Sequence, residues 1–132
     1  LPAAERAEAL AADLSDTVNT LPWTDRPGGA DIIVNATPVG MNRQDDPGAA
    51  ARSPLDNTHL DALPDSATVF DTVYTPLETT LLKGARRRGI RAVTGADMFV
   101  QQAAAQFSAW TGLPPERTPT ALFERIVLET RD

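Results

Sequence analysis

The amino-acid sequence predicts an α/β fold, namely the distal part of a doubly wound parallel sheet followed by C-terminal helices. Three short apolar runs are typical of strands, and each is followed by a polar loop: Ile32–Val34, Ala67–Val73 and Ile90–Val93. Helical patterns lie between and after these runs, which is the alternation that parallel sheets require. Because ligands of such sheets bind beyond the carboxyl ends of the strands, the three loops predict one shared binding site.

The N-terminal quarter of the chain predicts a helix, a short strand and a loop. Pro2–Leu14 has apolar residues at helical spacing, and Pro2 suits the first helical position. Val18–Leu21 predicts a short strand, and Trp23–Ala30 predicts a loop because it is rich in proline and glycine. The β-branched run at Ile32–Val34 is typical of a strand that is covered on both faces.

The middle of the chain predicts a surface loop over the polar residues 42–58, a helical turn at Leu60–Leu63 and a helix over Thr79–Gly89. Gly89 suits the position just beyond a helix end. Helical spacing places three apolar side chains inward and four basic ones outward. These are Leu81, Leu82 and Ala85, and Lys83, Arg86, Arg87 and Arg88 respectively.

Two more helices are predicted at the C-terminal end. The first spans Asp97–Trp110; Thr111 and Gly112 stop it, and the prolines that follow prevent its resumption. The second spans Thr118–Leu128, with Thr118 as its N-cap. The apolar side chains of the first helix form one stripe. They are Phe99, Ala103, Phe107 and Trp110.

Composition limits the classes of function. The chain has 132 residues and a net charge of −6, which disfavours non-specific binding to nucleic acid or to an anionic membrane. It has no cysteine, no apolar run long enough to span a membrane and no signal-peptide pattern, so a cytoplasmic location is predicted. The start on Leu1, directly before a predicted helix and without an initiator methionine, indicates a piece of a longer protein. An oligomer is left open.

Three polar segments follow the predicted strands. Asn35–Met41 reads Asn-Ala-Thr-Pro-Val-Gly-Met, Asp71–Thr79 reads Asp-Thr-Val-Tyr-Thr-Pro-Leu-Glu-Thr, and Gly95–Ala103 reads Gly-Ala-Asp-Met-Phe-Val-Gln-Gln-Ala. In this order, they resemble the three motifs in the C-terminal half of the shikimate dehydrogenase family. Phe107, Trp110 and Gly112 resemble the end of the family's pattern.

The resemblance implies a reaction and a cofactor. Members of the family reduce 3-dehydroshikimate to shikimate with NADPH, and their Rossmann-like domain binds NADP. Their catalytic Lys/Asp pair, glycine-rich phosphate loop and Asn-Arg-Thr motif all precede the region that this chain resembles, and the sequence has no Gly-x-Gly-x-x-Gly. Residues 1–132 are therefore expected to be a partial dinucleotide-binding domain, with no catalytic residue and no metal site of its own.

The resemblance also implies individual roles at the three strand ends. The residues that would bind the cofactor are Asn35, Thr37, Thr72, Val73, Gly95 and Met98. Those that would contact the substrate, shikimate or 3-dehydroshikimate, are Tyr74 and Gln102. Each has a purely structural interpretation: a loop that hydrogen-bonds to itself, a half-buried aromatic ring or a surface amide. We expect Asp97 to be a helix cap, and Gln101, His59 and Arg86–Arg88 to be solvated.

Three alternatives stay open. A relative that oxidises quinate with NAD would share these motifs, because the residues that select the cofactor precede them. A fused dehydroquinate dehydratase–shikimate dehydrogenase would have a similar C-terminal end. A non-catalytic binding module could keep the fold without the chemistry.

Overall fold

The computed structural model describes residues 3–15, 17–22, 25 and 28–129, and it is an α/β fold as predicted. The strands are β1 (Ile32–Asn35), β2 (Thr68–Asp71) and β3 (Arg91–Val93). The helices are α1 (Ala3–Leu14), α2 (Asn57–Asp61), α3 (Thr80–Arg87), α4 (Gly95–Thr111) and α5 (Thr120–Glu129). Single 3₁₀ turns lie at Ala49–Ala51 and Pro115–Arg117. None of the helices in the described ranges is long and apolar enough to cross a membrane.

The strands form one parallel sheet in the order β1-β2-β3. Ile32 pairs with Thr68 at the start of the first ladder, and Asn35 pairs with Asp71 at its end. In the second ladder Phe70 pairs with Val93. All three carboxyl ends therefore lie at the same edge, which is where the three polar segments begin.

Helix α3 covers one face of the sheet as predicted. Thr79 caps it, since its hydroxyl accepts from the Leu82 amide, and Gly89 follows its end at a φ of 73°. Leu81, Leu82 and Ala85 are fully buried. They form the core together with Leu55, Leu60, Leu63, Ala67, Val69 and Ile90.

The N-terminal region differs from the prediction. Residues 18–21 form no strand, because no described neighbour offers them a ladder partner. Pro2 and much of Trp23–Ala30 lie outside the described residues. The prediction that β1 is covered on both faces is wrong: Ile32 is 64% exposed and Val34 is 51% exposed. Strand alternation points both side chains toward the face that no described element covers.

The segment before β2 is less of a surface loop than predicted. Ala49 and Leu55 are buried within it. The helical turn also begins earlier, at Asn57, because the Asp56 carboxylate accepts from the His59 amide at 3.0 Å and caps α2 there. Local capping thus decided a boundary that the apolar pattern placed at Leu60.

The predicted stripe on α4 is only partly buried. Phe99 is 50% exposed and Trp110 is 81% exposed, whereas Val100 is buried. Packing against α5 selects the buried face, with the rings of Phe107 and Phe123 in edge-to-face contact at 5.8 Å. The stripe follows helical spacing correctly, but the described elements cover only part of it.

Helix α5 begins at Thr120, so the prediction that Thr118 is its N-cap is wrong. The Thr118 hydroxyl donates to the Pro114 carbonyl at 3.4 Å instead. The Pro119 carbonyl accepts from the Leu122 and Phe123 amides, which places the first turn after the proline.

The solvent-accessible surface is large for the length of the chain. It measures 9000 Å², whereas a compact monomer of this size exposes roughly 6,700 Å². The exposed large apolar side chains include Ile32 and Val34 on the open sheet face and Phe99 and Trp110 on α4, besides others on α1 and α5. An exposed apolar area of this extent is typical of a surface that another polypeptide covers.

We predict that the 132-residue chain binds a hydrophobic fluorescent dye and that the double substitution Ile32→Thr/Val34→Thr reduces this binding. Threonine keeps the β-branched shape that suits a strand and removes apolar surface. Val18→Thr is the matched control, because Val18 is also exposed but lies outside the sheet. Equal dye binding by the double variant and the original chain would contradict an open apolar sheet face.

Candidate functional site at the carboxyl edge of the sheet

The first polar segment is a loop that is shaped by its own side chains. The Asn35 amide nitrogen donates to the Val39 carbonyl at 3.1 Å, and its oxygen accepts from the Thr37 amide and hydroxyl. The Thr37 hydroxyl in turn accepts from the Val39 amide at 3.2 Å. Gly40 completes the turn at a φ of 92°, a conformation that favours glycine. Both side chains are used within the loop, so it would meet a ligand mainly through its backbone.

The second segment is tied to the first where β1 and β2 end. Both the amide and the hydroxyl of Thr72 donate to the Asn35 carbonyl, at 3.0 and 2.9 Å. Farther along, the Asn42 amide donates to the Thr75 carbonyl at 2.9 Å, just before the cis Thr75–Pro76 bond. The two segments therefore form one continuous wall of the site.

Asp71 connects these segments to helix α3. Its side chain is fully buried, with one oxygen accepting from the Asn35 amide at 2.9 Å and from the Val73 amide at 3.0 Å. The other oxygen accepts from the Thr79 hydroxyl at 2.6 Å. Sequence reasoning assigned no role to Asp71. The available signal was an acidic residue that directly ends a strand predicted to be buried.

Tyr74 lies at the exposed side of the second segment. It is 54% exposed, and its ring stacks on Phe99 of α4, with centroids 6.2 Å apart and planes 28° apart. Tyr74 is therefore about half buried, and it lies beside the helix that carries the third motif.

The third segment begins α4 with a capping box. The Thr94 hydroxyl accepts from the Asp97 amide at 3.1 Å, and the Asp97 carboxylate accepts from the Thr94 amide at 3.0 Å. The predicted role of Asp97 as a cap is confirmed. The helix starts two residues earlier than predicted, at Gly95, because Thr94 and not Asp97 is the N-cap.

Gly95 brings the third segment against the second. A Cβ atom at this position would lie 2.5 Å from the Thr72 carbonyl oxygen and 2.6 Å from that of Val73. Only glycine permits this approach, so the start of α4 packs directly on the backbone at the end of β2. Thr72, Val73 and Gly95, three of the residues predicted to bind the cofactor, are thereby in contact.

Met98 and Gln102 extend the site along α4. They are one helical turn apart on the same side of the helix, and Met98 is partly buried while Gln102 is exposed. Gln101 is exposed as well, in a different direction. Met98 thus lies near the strand ends and Gln102 farther out.

A cleft of about 300 Å³ lies beside β1, on the side of the sheet where the first segment begins. It is lined by Leu21, Pro22, Asp25, Ile32, Ile33, Val34, Asn35, Thr37, Pro54 and Leu55. Its walls are mainly apolar, with Asn35 and Thr37 at the strand end. Among the described residues, no cluster of three His, Asp or Glu side chains could hold a metal ion.

The arginines that follow the first segment are engaged with acids. Arg43 donates twice to Asp45, at 3.0 and 2.8 Å, and this side-chain hydrogen bond lowers the pKa of the Asp45 carboxyl. Arg52 forms an ion pair with Asp46 at 2.6 Å. Both guanidinium groups are thus paired with carboxylates of the same loop.

The family comparison identifies the third motif. The family model for the C-terminal domain of shikimate 5'-dehydrogenase matches residues 95–120, which contain Gly95, Met98 and Gln102. A curated shikimate dehydrogenase (NADP(+)) from Methylobacterium radiotolerans is 44% identical over 129 residues, or 96% of this chain. The chain belongs to the shikimate dehydrogenase family. The resemblance carried by the three motifs is therefore confirmed.

Solved structures of a shikimate dehydrogenase and of a quinate dehydrogenase share the fold. The Thermus thermophilus enzyme in complex with NADP(H) and shikimate is 29% identical, with a TM-score of 0.74 over 97% of this chain and 43% of its own. Quinate dehydrogenase from Corynebacterium glutamicum in complex with NAD is 31% identical, with a TM-score of 0.73 over 95% of this chain and 43% of its own.

The chain corresponds to the C-terminal part of the family. It spans 42% of the Methylobacterium relative, and about two fifths of the curated relatives in general. The Rossmann-like fold class is confirmed by these neighbours. The individual ligand contacts of the eight predicted site residues stay predictions.

We predict that Gly95→Ala destabilises the chain, because the added Cβ would collide with two backbone carbonyl oxygens. Overpacking of this kind costs about 1–3 kcal/mol in the free energy of unfolding. Gly48→Ala is the matched control, since its Cβ would meet no atom closer than 3.6 Å and its φ is −85°. Urea denaturation of the two variants measures the difference, and equal midpoints would show that α4 does not start against β2.

Proposed function

We propose that this chain is the NADP-binding part of an enzyme that interconverts 3-dehydroshikimate and shikimate, with residues 1–132 a partial dinucleotide-binding domain. The observation that carries the proposal is the convergence of the three motifs at one sheet edge, with Gly95 packed on the carbonyls of Thr72 and Val73. The names of the curated relatives support the same reaction and cofactor.

The site suits a role in positioning. NADPH, when bound, supplies the hydride, and the protein must hold the flat nicotinamide ring while excluding water. The carbonyls beside Gly95 offer acceptors in fixed positions, and the Met98 thioether offers an apolar, adaptable surface for a ring. Asn35 and Thr37 would hold the loop that lies along the cofactor.

Tyr74 and Gln102 suit the substrate. Both are exposed: Tyr74 stacks on Phe99, and Gln102 lies about one helical turn after Phe99 on α4. A phenol hydroxyl and an amide provide donors and acceptors, which matches a carbon ring that bears hydroxyl groups and a carboxylate. They would contact a substrate that lies beyond the carboxyl edge of the sheet.

A second candidate is oxidation of quinate with NAD. It is favoured by the similarity to the Corynebacterium glutamicum quinate dehydrogenase, which is as strong as that to the Thermus enzyme. Quinate and shikimate present nearly the same polar groups, so Tyr74 and Gln102 would serve either.

The decisive experiment uses a chimera in which this chain replaces the matching 129 residues of the Methylobacterium relative. We expect reduction of NADP⁺ that depends on shikimate. Parallel assays with quinate and with NAD⁺ separate the two candidates. A chimera that folds but reduces neither cofactor with either substrate would overturn both.

We predict that Gln102→Ala in the chimera raises the KM for shikimate more than the KM for NADP. The lost hydrogen bond should cost about 1–3 kcal/mol if its partner is left buried and unpaired. Gln101→Ala is the matched control, since it is an exposed amide on the same helix that points elsewhere. Equal KM values for shikimate in the two variants would show that Gln102 does not contact the substrate.

We predict that the 132-residue chain alone forms no NADPH from shikimate. The family resemblance assigns the phosphate loop and the acid–base pair to regions that precede this one, and general acid–base catalysis is typically worth about 10²–10⁴-fold in rate. Addition of the purified chain to shikimate and NADP⁺, followed by absorbance, is the measurement. Turnover above the uncatalysed rate would show that the chain carries its own chemistry.

A further inference from the structure

We propose that Asp71 is a positioning residue for this site: its buried carboxylate sets the places of the first and second segments relative to α3, and through them the contacts to the cofactor. The inference rests on the proposed function. Asp71 is fully buried, so it would act through the groups that it holds and not by touching a ligand.

The carboxylate joins three separate parts of the chain. One oxygen accepts from the Asn35 side chain, 36 residues away, and from the Val73 amide. The other accepts from the Thr79 hydroxyl, which also accepts from the Leu82 amide and so caps α3. A shift of any one of these groups would break a hydrogen bond to the same carboxylate.

These bonds are strong and have no substitute. An ionised acceptor forms shorter and stronger hydrogen bonds than a neutral one. Asp71 and Thr79 are both fully buried, and Asn35 is 3% exposed, so water does not compete for these donors. Removal of the carboxylate would leave the Val73 amide and the Thr79 hydroxyl proton buried without an acceptor, which is the costly case.

The hydrogen bonds of Asp71 also hold residues that are predicted to contact the cofactor. Asn35, held by Asp71, fixes Thr37 through its amide oxygen. The Val73 amide, also held by Asp71, lies next to the Thr72 and Val73 carbonyls on which Gly95 packs. Asp71 therefore holds the first two motifs directly, and the third motif packs against the second.

A role in stability alone makes a different kinetic prediction. Loss of folded protein lowers the apparent kcat and leaves the KM of the remaining folded molecules unchanged. Displacement of the binding loops raises the KM for the cofactor in molecules that are folded. Kinetic assays well below the melting temperature, where the molecules are folded, distinguish a role in stability from a role in positioning.

The experiment measures the KM for NADP, the KM for shikimate, kcat and thermal unfolding in the chimera and in four variants of it. Asp71→Asn keeps the shape and removes the charge, and we expect its KM for NADP to rise about tenfold or more, the loss of one charged hydrogen bond. Thr79→Val removes the hydroxyl that orients Asp71 and should also raise this KM, whereas Thr79→Ser should restore it. Thr80→Val is the matched control, because the Thr80 hydroxyl donates to the Ala50 carbonyl instead.

The results that would overturn the inference are defined for each variant. An unchanged KM for NADP in folded Asp71→Asn, with only the melting temperature lowered, would overturn the inference. If Asp71→Asn does not fold, the two Thr79 variants test the inference. Equal KM values for NADP in Thr79→Val, Thr79→Ser and Thr80→Val would overturn it. An unsubstituted chimera that folds but neither turns over shikimate nor binds NADP overturns the proposed function itself, and the inference with it.

Discussion

The site is organised by an acidic side chain that is buried inside the protein. Burial of an ionised carboxylate is costly unless hydrogen bonds replace its hydration. Asp71 meets this requirement with a side-chain amide, a backbone amide and a hydroxyl. Its location at the end of the central strand is what allows this, since β1 supplies one donor from one side and the start of α3 supplies another. The cost of burial therefore becomes a constraint on geometry: the arrangement is stable only when all three partners are in place.

A steric constraint complements this electrostatic one. Asp71 fixes the first two segments but makes no contact with the third. Gly95 fixes the third against the second, because only a residue without a Cβ can approach the Thr72 and Val73 carbonyls so closely. The capping box of Thr94 and Asp97 then sets the direction of α4 and so carries Met98 and Gln102 to their places. The position of a residue predicted to contact substrate thus depends on a glycine two helical turns away.

The sequence was sufficient for features that are local. The β-branched run at Ile32–Val34 and the apolar spacing of Leu81, Leu82 and Ala85 predicted a strand and a helix face that the structure confirms. The bond between Asn35 and Asp71 joins residues that are 36 apart, and no periodicity encodes such a pairing. The collision that makes Gly95 necessary is equally non-local. The motifs therefore indicated where the site lies, but not which side chains hold it together.

The errors of the sequence prediction have a common physical origin. Ile32 and Val34 follow the pattern of a strand covered on both faces, and Phe99 and Trp110 follow the pattern of a buried stripe, yet all four are at least half exposed. Apolar periodicity reports which faces a sequence is adapted to bury, whatever polypeptide covers them. The chain spans about two fifths of its curated relatives, and its accessible surface is large for its length. We interpret the exposed faces of β1 and α4 as surfaces adapted to a larger fold, one on the sheet and one on the helix that carries Gln102. The second surface adjoins Tyr74 through Phe99, so a polypeptide that covers it would also lie beside Tyr74.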